Sequence, residues 1–285
     1  MFPNQFEYHR PASVDEAVAL LTADPDAKIL AGGHSLVPAM KLRLASPSAL
    51  VDLGGVEGLT GIQANGSVTI GAMTTYAALR DSKELAASLP IIPETADSVG
   101  DPAVQARGTL GGALAHSDPA ADFTAVFLAL DGSVEVTGSG GKRTIGADEL
   151  FVDLFTTALA PDEIITSVSF PAQSAGTATA YEKFRHPASG YAVVGIAVAV
   201  TTGSGGTVES ARIAVTGATS KATRATAAEN ALQGKALNDE SIAAAAAVAA
   251  DGLEINGDHF ASEDYRRHLI GVLTERALKK AAAGK

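Results

Sequence analysis

The chain has no cysteine and no tryptophan among its 285 residues. Without cysteine there is no disulfide, no thiolate nucleophile and no cysteinyl ligation of zinc or of an iron–sulfur cluster, and this usage fits a reducing compartment. Basic side chains are scarce as well, with 21 Lys and Arg against 32 Asp and Glu and a net charge of −11. That balance disfavours a broad positive surface tracking phosphates, so no nucleic acid is expected as a partner. Long apolar runs are missing: residues 191–200 and 242–250 are the longest noted, where a membrane span takes about 20 residues. The opening MFPNQFEYHRPAS lacks a basic start, an apolar stretch and a small-residue cleavage site, which predicts a cytoplasmic protein. G-x-G-x-x-G, G-K-[ST], H-E-x-x-H and G-x-S-x-G are absent, and the 6 His lack ligand spacing. The signatures of a Rossmann site, a Walker loop, a zinc protease and a serine hydrolase are therefore missing, and no metal site is expected.

What is present is a core-forming chain, 46% hydrophobic, long enough for roughly two domains at about 150 residues each. Ser13 and Glu16 form a capping box ahead of Ala17, Val18, Leu20 and Leu21, which predicts a helix ending near Pro25. Residues 28–31 read as a strand, Gly32-Gly33-His34-Ser35 as a tight turn, 36–44 as a helix and 49–53 as a second strand, together a small βαβ-like unit. The Asn65-Gly66 turn predicts a hairpin. Helices follow over 74–80, 83–89 and 91–99, then a glycine-marked bend at 107–112, an apolar stretch at 123–130 and strands at 134–137, 144–145 and 163–170. Residues 171–177 suit a linker. Beyond it, 178–184, 191–201 and 207–216 read as an antiparallel meander of three strands, and 225–232, 240–250 and 262–283 as three helices on one face of it. The fold class is α+β, divided at 1–55, 56–173 and 174–285.

Two glycine pairs carry the chemistry. In Ala31-Gly32-Gly33-His34-Ser35 the glycines can take positive φ and turn successive N–H groups into one anion-binding concavity. The same reading applies to Thr109-Leu110-Gly111-Gly112-Ala113, with the Thr109 hydroxyl added and with Asp118 and Asp122 downstream as acceptors for ribose hydroxyls. Two phosphate-approach loops suit a pyrophosphate. For either pair alone a structural turn is the better reading, and together the two are suggestive of a pyrophosphate site.

AGGHSLVPAMKLRLA at 31–45 and TLGGALAHSDPAAD at 109–122 resemble the paired flavin-binding motifs of the FAD-binding medium subunits of molybdenum hydroxylases, the carbon monoxide dehydrogenase and xanthine dehydrogenase family. The likeness extends to FEYHRPASVDEAVALL, VTIGAMTTYAAL, PDEIITSVSFP and YEKFRHPASGYAVVG, and so to nearly the whole chain. The resemblance implies an FAD-binding domain in two parts followed by a C-terminal α+β domain, and FAD as cofactor. It implies that residues 31–35 and 109–113 wrap the pyrophosphate, with Lys28, Ile29, Leu30 and Leu36 lining the same segment. Asp122 matches a residue that bonds the adenosine ribose, Ile165 one packed against the isoalloxazine, and Lys183 and Tyr191 residues beside the ring. His34 is expected as a phosphate contact, not a covalent flavin link. The implied partners are an iron–sulfur small subunit and a molybdenum-cofactor large subunit in a hetero-oligomer, with electrons passing from [2Fe-2S] clusters through this chain to an external acceptor. No catalytic residue is assigned to this chain. An autonomous FAD oxidoreductase and a flavin-free assembly scaffold are the competing readings. Ala113-Leu114-Ala115-His116, where the carbon monoxide branch more often has an Asn-rich stretch, and Arg185-His186-Pro187 leave the substrate open.

Overall fold

A computed structural model describes residues 2–284. The N-terminal part is a parallel three-stranded sheet in the spatial order Glu7–His9, Ala49–Asp52, Lys28–Leu30. The strand Glu7–His9 has no counterpart in the sequence reading. None of its three residues is buried, so it carries no period-2 signal and is placed only by pairing with Ala49–Val51. Helix Val14–Ala23 covers the sheet with Ala17, Val18 and Leu21. Ser13 caps it through Glu16 N, while the Glu16 carboxylate reaches the Ala12 amide, one residue further back than a capping box requires. The next helix is shorter than its pattern suggests, Leu36–Lys41, and gives way at Arg43 to a left-handed backbone.

The middle of the chain builds a five-stranded antiparallel sheet in the order Ile62–Asn65, Ser67–Gly71, Ile164–Phe170, Ser133–Gly138, Gly141–Gly146. Between its second and third strands in sequence the chain runs through six helices, Tyr76–Arg80, Lys83–Ser88, Ile91–Ser98, Pro102–Arg107, Leu110–His116 and Asp122–Ala129. The last is buried along its whole length. Phe127 at its centre lies edge-on to Phe151 and Phe170, joining helix to sheet. The glycine-marked bend is in fact a helix. Thr109 caps it, its Oγ1 accepting from Gly112 N at 3.2 Å, and such a cap outweighs the poor intrinsic helix propensity of two glycines in the first turn.

The C-terminal sheet is antiparallel and has four strands, not three: Thr177–Arg185, Ala192–Thr202, Val208–Thr216 and the two-residue Thr223–Arg224. A strand that short carries no readable alternation. Helices Thr226–Leu232, Asp239–Ala247 and Glu263–Ala283 cover one face through Ile196, Val198 and Val200. The expectation of helices on one face alone is incomplete, because Tyr181, Ala197 and Ala214 on the other face join the core of the middle part. Burial on both faces explains why 192–200 reads as an unbroken apolar run instead of an alternation.

Candidate functional site: a cleft between two glycine segments

The chain folds so that Gly32 of the first turn meets the backbone at Arg107 and Gly108, just ahead of the second glycine pair. A Cβ on Gly32 would lie 2.8 Å from the Arg107 carbonyl carbon, 2.9 Å from Gly108 Cα and closer still to the Arg107 carbonyl oxygen. One on Gly112 would lie 2.7 Å from Thr109 Oγ1 and 3.4 Å from Ala31 Cβ. Backbone therefore passes backbone at a distance only glycine allows. Gly33 follows with φ +76 between the Leu30 and Val37 side chains, the left-handed turn expected of it. Among the described residues, no group of the chain accepts from the amides of Gly32, Gly33, His34 or Ser35. His34 Nδ1 lies 3.0 Å from the Gly32 carbonyl, which ties the turn across itself.

The second pair behaves differently, and here the expectation of a matching amide cradle fails. Leu110 N donates to Thr74 O at 3.1 Å, Gly111 N to Ala72 O at 2.8 Å and Ala113 N to Thr109 O at 3.0 Å, while Gly112 N is taken by the Thr109 hydroxyl. Neither glycine has positive φ, since both sit in the helix Leu110–His116. Gly111 instead lets the helix start press against Ala72, where a Cβ would lie 2.9 Å from backbone. Thr109 keeps its hydroxyl hydrogen to donate.

A cleft of about 480 Å³ opens between these segments, within the usual range of ligand pockets. Of the residues named from sequence, Lys28, Ile29, Ala31, Gly32, Gly33, His34, Ser35, Leu36, Thr109, Gly112, Ala113, Asp118, Asp122 and Tyr191 line it. Five do not. Leu30 sits behind Gly33, and Leu110 and Gly111 face the core. Ile165 is buried in the five-stranded sheet. Lys183 lies behind the wall, its Nζ 2.7 Å from Asp122 Oδ1 and donating to the Ser98 carbonyl at 2.9 Å. Burial pushes the Asp122 carboxyl above the ordinary carboxylate range, and the Lys183 cation and the hydrogen bonds from Lys183 and Tyr181 oppose that shift. The residues assigned to a ribose and to a ring thus form one ion pair at one place.

Other lining residues lay outside the sequence reading. Tyr76, Val99, Gly100, Val104 and Phe123 form an apolar wall, and Ser189 and Gly190 precede Tyr191 on a loop of the C-terminal part. The Gly100-Asp101-Pro102 run is a turn signal in the sequence, and Gly100 takes positive φ, while Tyr76 and Phe123, stacked with centroids 5.4 Å apart, are indistinguishable by sequence from core. Thr157, Leu159, Ala160, Pro161 and Glu163 close the far side. Arg143 shapes that loop by gripping Glu163 at 2.6 and 2.7 Å and the Ala158 carbonyl at 2.8 Å, while Glu163 accepts from Ala160 N at 2.7 Å. The Arg143 hydrogen bonds hold the Glu163 carboxyl below its ordinary value. His116 lines the cleft and lies against Phe155, the two rings tilted by 37° with centroids 5.1 Å apart.

Residues 4–173 match the family model described as the FAD-binding domain in molybdopterin dehydrogenase, and residues 179–281 match the carbon monoxide dehydrogenase flavoprotein C-terminal domain. The chain is 41% identical over 285 residues to the carbon monoxide dehydrogenase medium chain of Hydrogenophaga pseudoflava, covering 99% of each. It is 41% identical to the nicotine 6-hydroxylase medium subunit of Paenarthrobacter nicotinovorans, covering 97% of each. A solved structure of carbon monoxide dehydrogenase from Hydrogenophaga pseudoflava superimposes with a TM-score of 0.95 at 43% identity over 99% of both chains. No helix among the described residues is long and apolar enough to cross a membrane.

Proposed function

The chain belongs to the family of FAD-binding medium subunits of molybdenum hydroxylases, and from that premise we propose that it carries FAD in the cleft and passes electrons between a partner subunit and an external acceptor. Its cofactor is FAD. The observation that carries the reading is the backbone-to-backbone meeting of the two glycine segments at the edge of one cleft.

The residues present fit the group. The open amides of Gly32 to Ser35 suit phosphate oxygens, with the Thr109 hydroxyl beside them. Val99, Val104, Phe123 and Leu159 offer apolar surface to a planar ring, and Asp118 and Asp122 offer acceptors to ligand hydroxyls. FAD, when bound, supplies exchange of single electrons on one side and of pairs on the other. The chain itself binds and orients the group, excludes water with its apolar wall, and keeps the charge of Asp122 balanced by Lys183. With no cysteine it needs another chain to hold [2Fe-2S] clusters. An iron–sulfur small subunit and a molybdenum-bearing large subunit, the latter oxidising the substrate, are the partners this reading requires.

Co-production with the products of adjacent reading frames, followed by flavin, iron and molybdenum analysis, tests it. About one acid-releasable FAD per chain and metals in the co-purified chains are expected. A colourless complex after incubation with excess FAD would overturn the reading, and colour retained in the acid pellet would overturn the non-covalent attachment.

A further inference from the structure

Two side chains of the C-terminal sheet reach across to the same oxygen of the cleft wall. Tyr181 and Lys183 stand two apart on the strand Thr177–Arg185, and so on one face of it. The Tyr181 hydroxyl donates to Asp122 Oδ1 at 2.6 Å and Lys183 Nζ donates to the same atom at 2.7 Å. The Lys183 and Asp122 side chains are 6% and 5% exposed. Opposite Lys183 in register is Gly195. A Cβ there would collide with the Tyr181 hydroxyl and come within 2.8 Å of Thr216 Cγ2, so this notch in an otherwise apolar strand is what lets the phenol pass to Asp122. Neighbouring groups hold the approach to Asp122. Thr216 Oγ1 lies 2.6 Å from the Pro119 carbonyl and 2.9 Å from that of Ala121, and the amides of Gly217 and Ala192 donate to Pro119 O and Ala120 O.

We propose that Tyr181 and Lys183 are positioning residues for the FAD cleft. By sharing Oδ1 they fix the rotation of the Asp122 carboxyl group and leave Oδ2 to receive a hydroxyl of the bound flavin nucleotide. Among the described residues no other side chain addresses Oδ2. Apart from Tyr76, the core around Tyr181 is filled by Phe, Leu, Ile, Val and Ala, where a phenylalanine would satisfy packing and a buried hydroxyl needs a partner. The inference rests on the reading of the cleft as the FAD site.

The test is a cycle of Tyr181→Phe, Asp122→Asn and the double variant in the full chain, purified with whatever subunits accompany it. FAD is titrated into deflavinated protein and melting is followed by circular dichroism. Tyr181→Phe is expected to stay folded and to weaken FAD binding about tenfold, the scale of one hydrogen bond to a charged group. The double variant is expected to bind no worse than Asp122→Asn alone, because both changes act through one carboxylate. Should the Phe variant not fold, Lys183→Gln takes its place in the same cycle. Wild-type affinity in the single variant, or effects that add in the double, would overturn the proposal. Wild-type protein that takes up no FAD would overturn the reading of the cleft instead.

Discussion

Gly32→Ala is the most direct probe of the meeting of the two segments. The added methyl faces the Arg107 carbonyl carbon at 2.8 Å and Gly108 Cα at 2.9 Å, and all of these are backbone atoms that cannot rotate away. Carbon contacts settle at about 3.5 Å, so the segments must part by about 1 Å. Overpacking of that kind costs about 1–3 kcal/mol, which for a chain of this size lowers Tm by roughly 2–10 °C. The functional loss is expected to be larger than the stability loss. A misplacement of about 1 Å in a pre-formed site costs up to about a hundredfold, and the amides of Gly32 to Ser35 move with the displaced segment. The assay is FAD titration followed by flavin fluorescence, alongside melting by circular dichroism. Gly140→Ala serves as control, because its Cβ would meet nothing within 4 Å. If Gly32→Ala bound FAD as tightly as the control and melted with it, the argument that glycine is needed for this backbone crossing would be refuted.

Further outcomes follow from the same geometry. Thr109→Val removes the cap of helix Leu110–His116 and is expected to cost about 1 kcal/mol, with Thr109→Ser restoring both Tm and flavin content. Glu163→Gln weakens the grip of Arg143 on the 158–163 loop. Since Glu163 is held below its ordinary 4.5, its contribution is complete above that value and is lost as pH falls through the lowered one. Melting curves of wild type and Glu163→Gln should therefore differ at neutral pH and converge in acid. A constant gap at every pH would count against the pair. Phe127→Ala, fully buried between Phe151 and Phe170, is expected to destabilise by about 3–5 kcal/mol in denaturant titration.

Much of the fold was legible residue by residue. The Ser13 cap, the Asn65-Gly66 hairpin centred on Gly66, the first glycine turn and the long C-terminal strands and helices are local statements, written in spacings of two to four residues. Glu7–His9 and Thr223–Arg224 were not, because strands of three and two residues have no period and exist only through their partners. The helix Leu110–His116 is hidden in the sequence because its two glycines are turn formers by propensity, and only the Thr109 cap favours a helix there.

The candidate site divides in the same way. By itself the sequence determined which residues are small enough for close approach, which are ionisable and, through motifs spread over the whole chain, which family it belongs to. Only the tertiary structure decided that Leu110 and Gly111 spend their amides on Thr74 and Ala72, that Ile165 is core, and that Asp122 and Lys183 are one ion pair. The reason is physical. Hydrogen-bond partners and desolvation come from residues tens of positions away, and a carboxylate at 122 meets an ammonium at 183 only after a helix and a sheet have packed together.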